Sequence, residues 1–194
     1  MHVVTTLVLQ LLWLAMPLVL SGLVHLLVMR HDWLPALRRA PLDFGATWRG
    51  RRLFGANKTW RGAVITIGST SVFAGALSWI NAHGLNLPSP VPYADAHPFA
   101  WGALLGCGYI LGELPNSFVK RQLNIAPGAL GSGALGRTFW VVDQVDSLAG
   151  MLLCIWPVWQ PAPAAIAILV VVMLVAHPIS AWIMVLVGLK THVG

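Results

Sequence analysis

Long apolar stretches alternate with shorter polar segments along this chain of 194 residues. A helix needs about 20 residues to cross the roughly 30 Å of hydrocarbon in a membrane, and five stretches reach that length. The stretches are residues 3–29, 62–82, 99–118, 139–159 and 164–189. The pattern predicts an all-α fold, a polytopic integral membrane bundle of about five transmembrane helices that forms a single domain over residues 1–194.

Composition agrees with a membrane location. Charged residues make up 9% of the chain, whereas a soluble domain carries about 25%. The mean hydropathy is +0.75. The first apolar stretch is too long for the core of a cleaved signal peptide and no basic residue precedes it, so we expect it to remain as a helix. Cys107 and Cys154 lie in different apolar stretches, and we expect buried free thiols rather than a disulfide.

Basic residues are concentrated in two polar segments. Eight of the 12 lysines and arginines lie in residues 30–61, three lie in 119–138, and none lies in 83–98. Because short basic segments stay on the cytoplasmic side, residues 30–61 and 119–138 are predicted to be cytoplasmic loops. Five helices then place the N-terminus outside and the C-terminus in the cytoplasm, in a multi-pass protein of the cell (inner) membrane.

Two of the six acidic residues, Asp143 and Asp146, open the fourth apolar stretch. Residues three apart share one face of a helix. Two carboxylates on one face repel each other unless a cation or a proton lies between them. Ionisable residues in membrane segments are costly and mark a functional site by default.

The third apolar stretch ends in a polar stripe formed by Glu113, Asn116, Ser117 and Lys120. The spacing i, i+3, i+4 and i+7 places these side chains on one helix face. Antiparallel neighbours would bring Glu113 to the level of the two aspartates, and three carboxylates suit Mg²⁺. The alternative is structural: Glu113 pairs with Arg121 or Arg137, and Asp143 with Lys120, only to anchor the bundle.

A basic segment, Arg51 to Gly62, precedes the second apolar stretch. It is not a P-loop, because Asn57 stands where glycine should precede Lys58 and no strand comes before it. Lys58 and Arg61 nevertheless lie at the phosphate level of the membrane, and the amides near Gly55 can cradle an anion. We expect phosphate binding at these two cations, and a lipid-attracted anchor at the other arginines. These others are Arg38, Arg39, Arg49, Arg51 and Arg52.

Several short motifs follow one another in order. They are Pro41-Leu-Asp-Phe-Gly45, Lys58-Thr-Trp-Arg-Gly62, Ser117-Phe-Val-Lys-Arg121, Pro127-Gly128, Asp143-Gln-Val-Asp146 and Gly188-Leu-Lys190, with His177 before the last. Together they resemble the CDP-archaeol synthase family, integral membrane CTP-dependent transferases related to phosphatidate cytidylyltransferases. The chain departs from the family in three places. Gly55-Ala-Asn57 replaces the common Gly-Asp-Gly, Glu113 replaces a common aspartate, and the loop after Pro127-Gly128 is richer in glycine than expected.

The resemblance implies an enzyme that transfers CMP from CTP to a lipid phosphate and releases pyrophosphate. It implies that Glu113, Asp143 and Asp146 hold Mg²⁺ and, with Lys120 and Arg121, form the catalytic set. The substrate-binding residues expected from it are Asn57, Lys58, Thr59, Arg61, Asn116 and Ser117.

The lipid that the resemblance suggests is 2,3-bis-O-geranylgeranylglycerol 1-phosphate, with diacyl phosphatidic acid as the alternative. A non-enzymatic membrane carrier or assembly protein is the alternative from another class. It is disfavoured because spans two, four and five have few polar residues in their outer halves. We expect CTP, the lipid phosphate and the bilayer as partners and no nucleic acid. The oligomeric state stays open, with a homodimer as one option.

Overall fold

The computed structural model describes residues 2–85, 97–186 and 188, and most of these residues are helical. The elements are α1 (His2–Arg30), α2 (Pro35–Arg39), β1 (Thr47–Trp48), β2 (Arg51–Arg52), α3 (Trp60–Ile80), a π-helical turn (Asn81–Leu85), α4 (Pro98–Gln122), α5 (Gly133–Ile155) and α6 (Pro163–Leu186). The all-α membrane fold predicted from the sequence is confirmed. Most of the polar segment 83–98 and most of the motif Gly188-Leu-Lys190 lie outside the described residues.

Four helices of the described part are long and apolar enough to cross a membrane, namely α1, α3, α5 and α6. The helix α4 is equally long, with 25 residues, or about 37 Å at 1.5 Å per residue. It is not among the four, and it carries Glu113, Lys120 and Arg121. The count of five spans and the direction of the termini therefore stay predictions.

The charged helix α4 lies in the middle of the bundle and packs mainly against α3 and α5, while α1 packs on α3 and α6 on α5. Glycines allow this close approach. A Cβ atom at Gly102 would lie 2.6 Å from the Ser71 Cα on α3, and one at Gly112 would lie 2.2 Å from the Asp146 carbonyl oxygen on α5. Small residues at such interfaces let helix backbones touch, which is how helices associate in a lipid environment.

The apolar core lies between α4, α5 and the helices that flank them. It is built around the fully buried Trp101, with Leu14, Leu105, Leu148, Met151 and Ile155 packed together. Both cysteines are free and half-buried. The core and the glycine contacts fix the register of α4 against α5, and this register places the polar stripe of α4 opposite the aspartates of α5.

Candidate active site

Two lysine–carboxylate pairs bring together residues from three helices. The Lys58 Nζ, just before α3, lies 2.5 Å from the Glu113 Oε2 on α4. The Lys120 Nζ, near the end of α4, lies 2.6 Å from both carboxylate oxygens of Asp143 on α5. All four side chains are largely removed from solvent, so each pair compensates a charge that would be costly alone.

Asn116 joins the two aspartates. Its amide nitrogen lies 2.5 Å from an oxygen of Asp143 and 2.8 Å from an oxygen of Asp146. The other oxygen of Asp146 accepts a hydrogen bond from the Ser147 amide at 2.6 Å. We call this group the carboxylate cluster; its members are Lys58, Glu113, Asn116, Lys120, Asp143 and Asp146.

The cluster joins two of the predicted metal ligands, Asp143 and Asp146, through Asn116, and lysines neutralise Glu113 and Asp143. Within residues 2–85, 97–186 and 188, no three His, Cys, Asp or Glu side chains form a ready metal site. Glu113 pairs with Lys58 rather than with Arg121 or Arg137, whereas the expected alternative pairing of Asp143 with Lys120 is present. Among the described residues, the side-chain oxygen of Asn116 is buried without a hydrogen-bond donor.

The other predicted substrate-binding residues are dispersed. The Thr59 hydroxyl caps α3 by accepting from the Gly62 amide at 3.4 Å, as helix N-caps do. Arg61 binds the Asp32 carboxylate at 2.8 Å, so it is engaged outside the carboxylate cluster. Asn57 is exposed beside Gly55, and Ser117 is buried on α4.

Asp43 was missed as a site residue, although it lies in the motif Pro41–Gly45. Its carboxylate is buried and accepts from the amides of Gly45, Phe54 and Gly55 at 3.0, 3.1 and 3.2 Å. The Arg52 guanidinium also binds it, so Arg52 is part of this network rather than a free surface anchor. Burial alone would raise the pKa of Asp43, but the bonds from Arg52 and the amides outweigh it and lower the pKa to about 2.

The Asp43 network holds the segment that delivers Lys58. The Leu42 amide donates to the Lys58 carbonyl at 2.8 Å, and the Trp60 amide donates to the Ala40 carbonyl at 2.9 Å. These bonds tie Lys58 and Trp60 to residues 40–42, directly before Asp43. The sequence signal was that Asp43 is one of only two acidic residues in the basic segment 30–61 and lies within a motif.

A pocket of about 390 Å³ lies beside the cluster, and we call it the basic pocket. Its lining residues are Gly50, Arg51, Arg52, Gly55, Ala56, Arg121, Asn124, Ile125 and Pro127. Arg121 is only 8% exposed. One of its terminal nitrogens donates to the Ala126 carbonyl at 3.2 Å, while its Nε and Nη1 have no acceptor among the described residues. Buried donors of this kind are satisfied by an anion.

Gly55 makes room for Arg121. It has a φ of +97°, which favours glycine, and an added Cβ atom would lie 3.3 Å from the Arg121 Cδ. The loop from Gly55 to Lys58 thus contributes to the basic pocket at one end and to the carboxylate cluster at the other. Likewise, Lys120 belongs to the carboxylate cluster, and the next residue, Arg121, lines the basic pocket.

Together, the fold and the site define a polytopic helical membrane protein whose central helix carries a glutamate, a lysine and an arginine. The solved structure of "an intramembrane enzyme for archaeal membrane lipids biosynthesis" has the same fold. The match covers 89% of this chain and 92% of that chain, with a TM-score of 0.58 at 23% identity.

The sequence comparisons name the family. The profile of the CarS-like CDP-archaeol synthases matches residues 4–193. The CDP-archaeol synthase of Pyrococcus furiosus is 34% identical over 71% of this chain and 73% of that protein. That of Thermofilum pendens is 32% identical over 91% of this chain and 72% of that protein. The chain belongs to the CDP-archaeol synthase family, which confirms the resemblance of the motifs and the expected class, a CTP-dependent cytidylyltransferase of lipid biosynthesis.

Proposed function

We propose that this protein transfers CMP from CTP to 2,3-bis-O-geranylgeranylglycerol 1-phosphate, giving a CDP-lipid and pyrophosphate. One observation carries the assignment of the site: the basic pocket and the carboxylate cluster are adjacent and share two chain segments, Gly55–Lys58 and Lys120–Arg121. A nucleoside triphosphate needs cations for its phosphates next to the place where its α-phosphorus reacts, and this arrangement supplies both.

In the reaction, an oxygen of the lipid phosphate attacks the α-phosphorus of CTP. A phosphorus–oxygen bond forms there, and the bond from the α-phosphorus to the pyrophosphate leaving group breaks. The attacking oxygen is already ionised, so no general base is required. Catalysis is then mainly positioning and charge neutralisation, as in other phosphoryl transfers.

The cations of the site have separate roles in this proposal. Arg121 offers its two unpaired nitrogens to phosphate oxygens in the basic pocket. Lys58 and Lys120 hold carboxylates, and the phosphates of CTP compete for the same ammonium groups. Asn57 is exposed in the loop Gly55–Lys58. Thr59 is the N-cap of α3 and so fixes where the helix begins, directly after Lys58. Arg61 binds Asp32 and Ser117 is buried. These two residues contact the substrate only if their side chains move toward CTP when it binds.

The donor set of the cluster fits Mg²⁺. Asp143 and Asp146 supply carboxylate oxygens around one point, which the Asn116 amide nitrogen occupies as a donor to both. Hard cations such as Mg²⁺ take oxygen ligands and keep several waters. We propose that Asp143 and Asp146 would hold the ion, and that Glu113 would join them only after it leaves Lys58. The ion would supply neutralisation of the phosphate charge that develops during transfer.

The proposal places the site at the cytoplasmic surface of the cell membrane, where soluble CTP meets a lipid head group. Support comes from the basic residues of 30–61 and 119–138, which flank the cluster, and from the positive-inside rule. The single domain of residues 1–194 and the N-terminus outside belong to the same proposal. A homodimer stays a prediction, and mass measurement in detergent checks it.

The test incubates purified protein and Mg²⁺ with α-labelled CTP and a panel of lipid phosphates. We expect labelled CDP-lipid from the ether-linked geranylgeranyl lipid, with much less from diacyl phosphatidic acid. The matched control is the Asp143→Asn, Asp146→Asn double variant. If only phosphatidic acid gives product, the substrate of the protein is the ester lipid and not the ether lipid. No product from any lipid phosphate would overturn the proposed transfer.

A further inference from the structure

The carboxylate of Glu113 is contacted by a residue that lies in none of the sequence motifs. Tyr109 stands four positions before Glu113 on the continuous helix α4, so the two side chains share one helix face. The Tyr109 hydroxyl donates a hydrogen bond to the Glu113 carboxylate. The Tyr109 ring packs against the apolar core around Trp101, and this packing fixes the position of the hydroxyl.

Glu113 is therefore held by two different donors, a cation and a neutral hydroxyl. The Lys58 ammonium lies 2.5 Å from the Glu113 Oε2, and the two side chains are only 21% and 20% exposed. A carboxylate that is largely removed from water becomes costly when its cation leaves. A second hydrogen bond to the same carboxylate offsets part of that cost.

The proposed function requires Lys58 to leave Glu113, because the phosphates of CTP compete for its ammonium group. Glu113 and Lys58 are both within electrostatic reach of Asp146. When Lys58 turns to a phosphate, two carboxylates are left near each other with one cation fewer, which is unfavourable. His25 on α1 is also within electrostatic reach of Glu113, and its Cε1 would lie 3.5 Å from a Cβ atom added at Gly62.

We infer that Tyr109 is a positioning residue that holds Glu113 in place while CTP draws Lys58 away. This inference rests on the proposed function and deepens it. The phenol carries no positive charge, so phosphates attract it less strongly than they attract Lys58. Glu113 thus keeps a hydrogen-bond donor after the exchange, and the lysine is released to the phosphates at a lower cost.

The test measures the binding of CTP to Tyr109→Phe, a substitution that removes the hydroxyl and keeps the ring. Without the hydroxyl, Glu113 depends on Lys58 alone. We therefore expect the Kd for CTP, measured by calorimetry with Mg²⁺ present, to rise about tenfold, as when a hydrogen bond to a charged group is lost. In Glu113→Gln the lysine is already free of the carboxylate, so adding Tyr109→Phe changes the Kd by about twofold or less.

The matched control is Ser71→Ala, which also removes one hydroxyl that makes one hydrogen bond. The Ser71 hydroxyl donates to the Phe99 carbonyl at 2.6 Å, and Phe99 lies about 21 Å from Glu113 along α4 at 1.5 Å per residue. We expect this variant to bind CTP as wild type does. A merely structural role of Tyr109 would lower the Tm of Tyr109→Phe and leave its Kd for CTP unchanged.

Three results would overturn the inference. The first is an unchanged Kd for CTP in Tyr109→Phe. The second is an equal rise of the Kd when Tyr109→Phe is added to wild type and to Glu113→Gln. The third is a rise in His25→Gln without one in Tyr109→Phe, which would assign the role to His25.

An infrared measurement separates these results from a failure of the proposed function, because it needs no CTP. The difference spectrum between wild type and Glu113→Gln isolates the carboxylate band of Glu113. We expect this band to shift when both proteins also carry Tyr109→Phe, because a hydrogen bond changes the stretching frequency of a carboxylate. An unshifted band would refute the bond itself. If wild type binds no CTP, the proposed function and the positioning role both fail, and a shifted band then leaves Tyr109 with a structural bond only.

Discussion

Lys120 binds Asp143 through both carboxylate oxygens, each 2.6 Å from its ammonium nitrogen. The same ammonium lies 5.3 Å from the centre of the Phe139 ring, close enough for a cation–π contact. Asp143 also accepts from Asn116. The lysine is therefore held in place by two residues of α5, Asp143 and Phe139.

Replacing Asp143 by asparagine removes one of the carboxylates proposed to bind metal and leaves Lys120 without its counter-charge. We expect Mg²⁺-dependent turnover of CTP to fall by about 100-fold or more, as when a charge-stabilising group is lost, and Asp146→Asn to behave alike. Turnover of labelled CTP measures this. The control is Asp32→Asn, at an acid that is half-exposed and bound to Arg38 and Arg61. Full activity in both cluster variants would contradict the metal assignment.

Substitutions of Glu113 test whether CTP turnover depends on the charge or on the length of this side chain. Glu113→Gln removes the charge that binds Lys58, so we expect CTP turnover to fall by at least about tenfold. Glu113→Asp keeps a carboxylate one methylene shorter, and we expect activity closer to wild type. Steady-state kinetics with both variants decides. Equal losses would mean that the length of the side chain, and the 2.5 Å contact with Lys58, is what the site needs.

Arg121 is expected to bind the phosphates of CTP in the basic pocket. Arg121→Gln should raise the KM for CTP by about 10- to 100-fold, the effect of losing hydrogen bonds to a charged group. The Arg39→Gln variant is the control, because Arg39 lies on α2 and does not line the pocket. Binding of CTP is measured by calorimetry as well as by turnover. An unchanged affinity in Arg121→Gln would remove the pocket from the mechanism.

Asp43 gives a pH-dependent prediction. Its folded pKa of about 2 lies below its ordinary value of 3.8. The stabilisation is therefore complete above about pH 4 and is lost as the pH falls through 2. We expect pepsin to cleave residues 40–58 faster at pH 2 than at pH 4, after correction for its activity on a control peptide. Asp43→Asn should be cleaved rapidly at both values. Equal protection of the wild type at both would contradict the role of the ionised carboxylate.

The glycine contact between α4 and α5 predicts a loss of stability. In Gly112→Ala the new methyl group would lie 2.2 Å from a carbonyl oxygen of α5, so the helices must separate, at a cost of about 1–3 kcal/mol. Gly68→Ala on α3 is the matched control, because nothing lies within 4 Å of its Cβ position, and it should be neutral or stabilising. Thermal unfolding in detergent compares them. A Tm of Gly112→Ala equal to that of Gly68→Ala would refute the close contact.

Local geometry made part of the site predictable. Glu113, Asn116 and Lys120 are near one another in sequence, and helical spacing alone places them on one face. Asp143 and Asp146 follow the same rule on α5. The pairing of Lys58 with Glu113 was not predictable, because 55 residues separate them and only the packing of α3 on α4 brings them together. Arg61 illustrates the opposite case, since it is close to Lys58 in sequence but binds Asp32.

The order of apolar and polar residues by itself determined the helical membrane fold, the family and the two polar helix faces. Each of these depends on hydrophobicity, spacing or a short motif, which are properties of neighbouring residues. Tertiary structure alone decided which carboxylate each lysine meets and that Asp43 organises the loop before α3. Those features depend on contacts between residues that are far apart in the sequence, and only the packing of helices and loops brings such residues together.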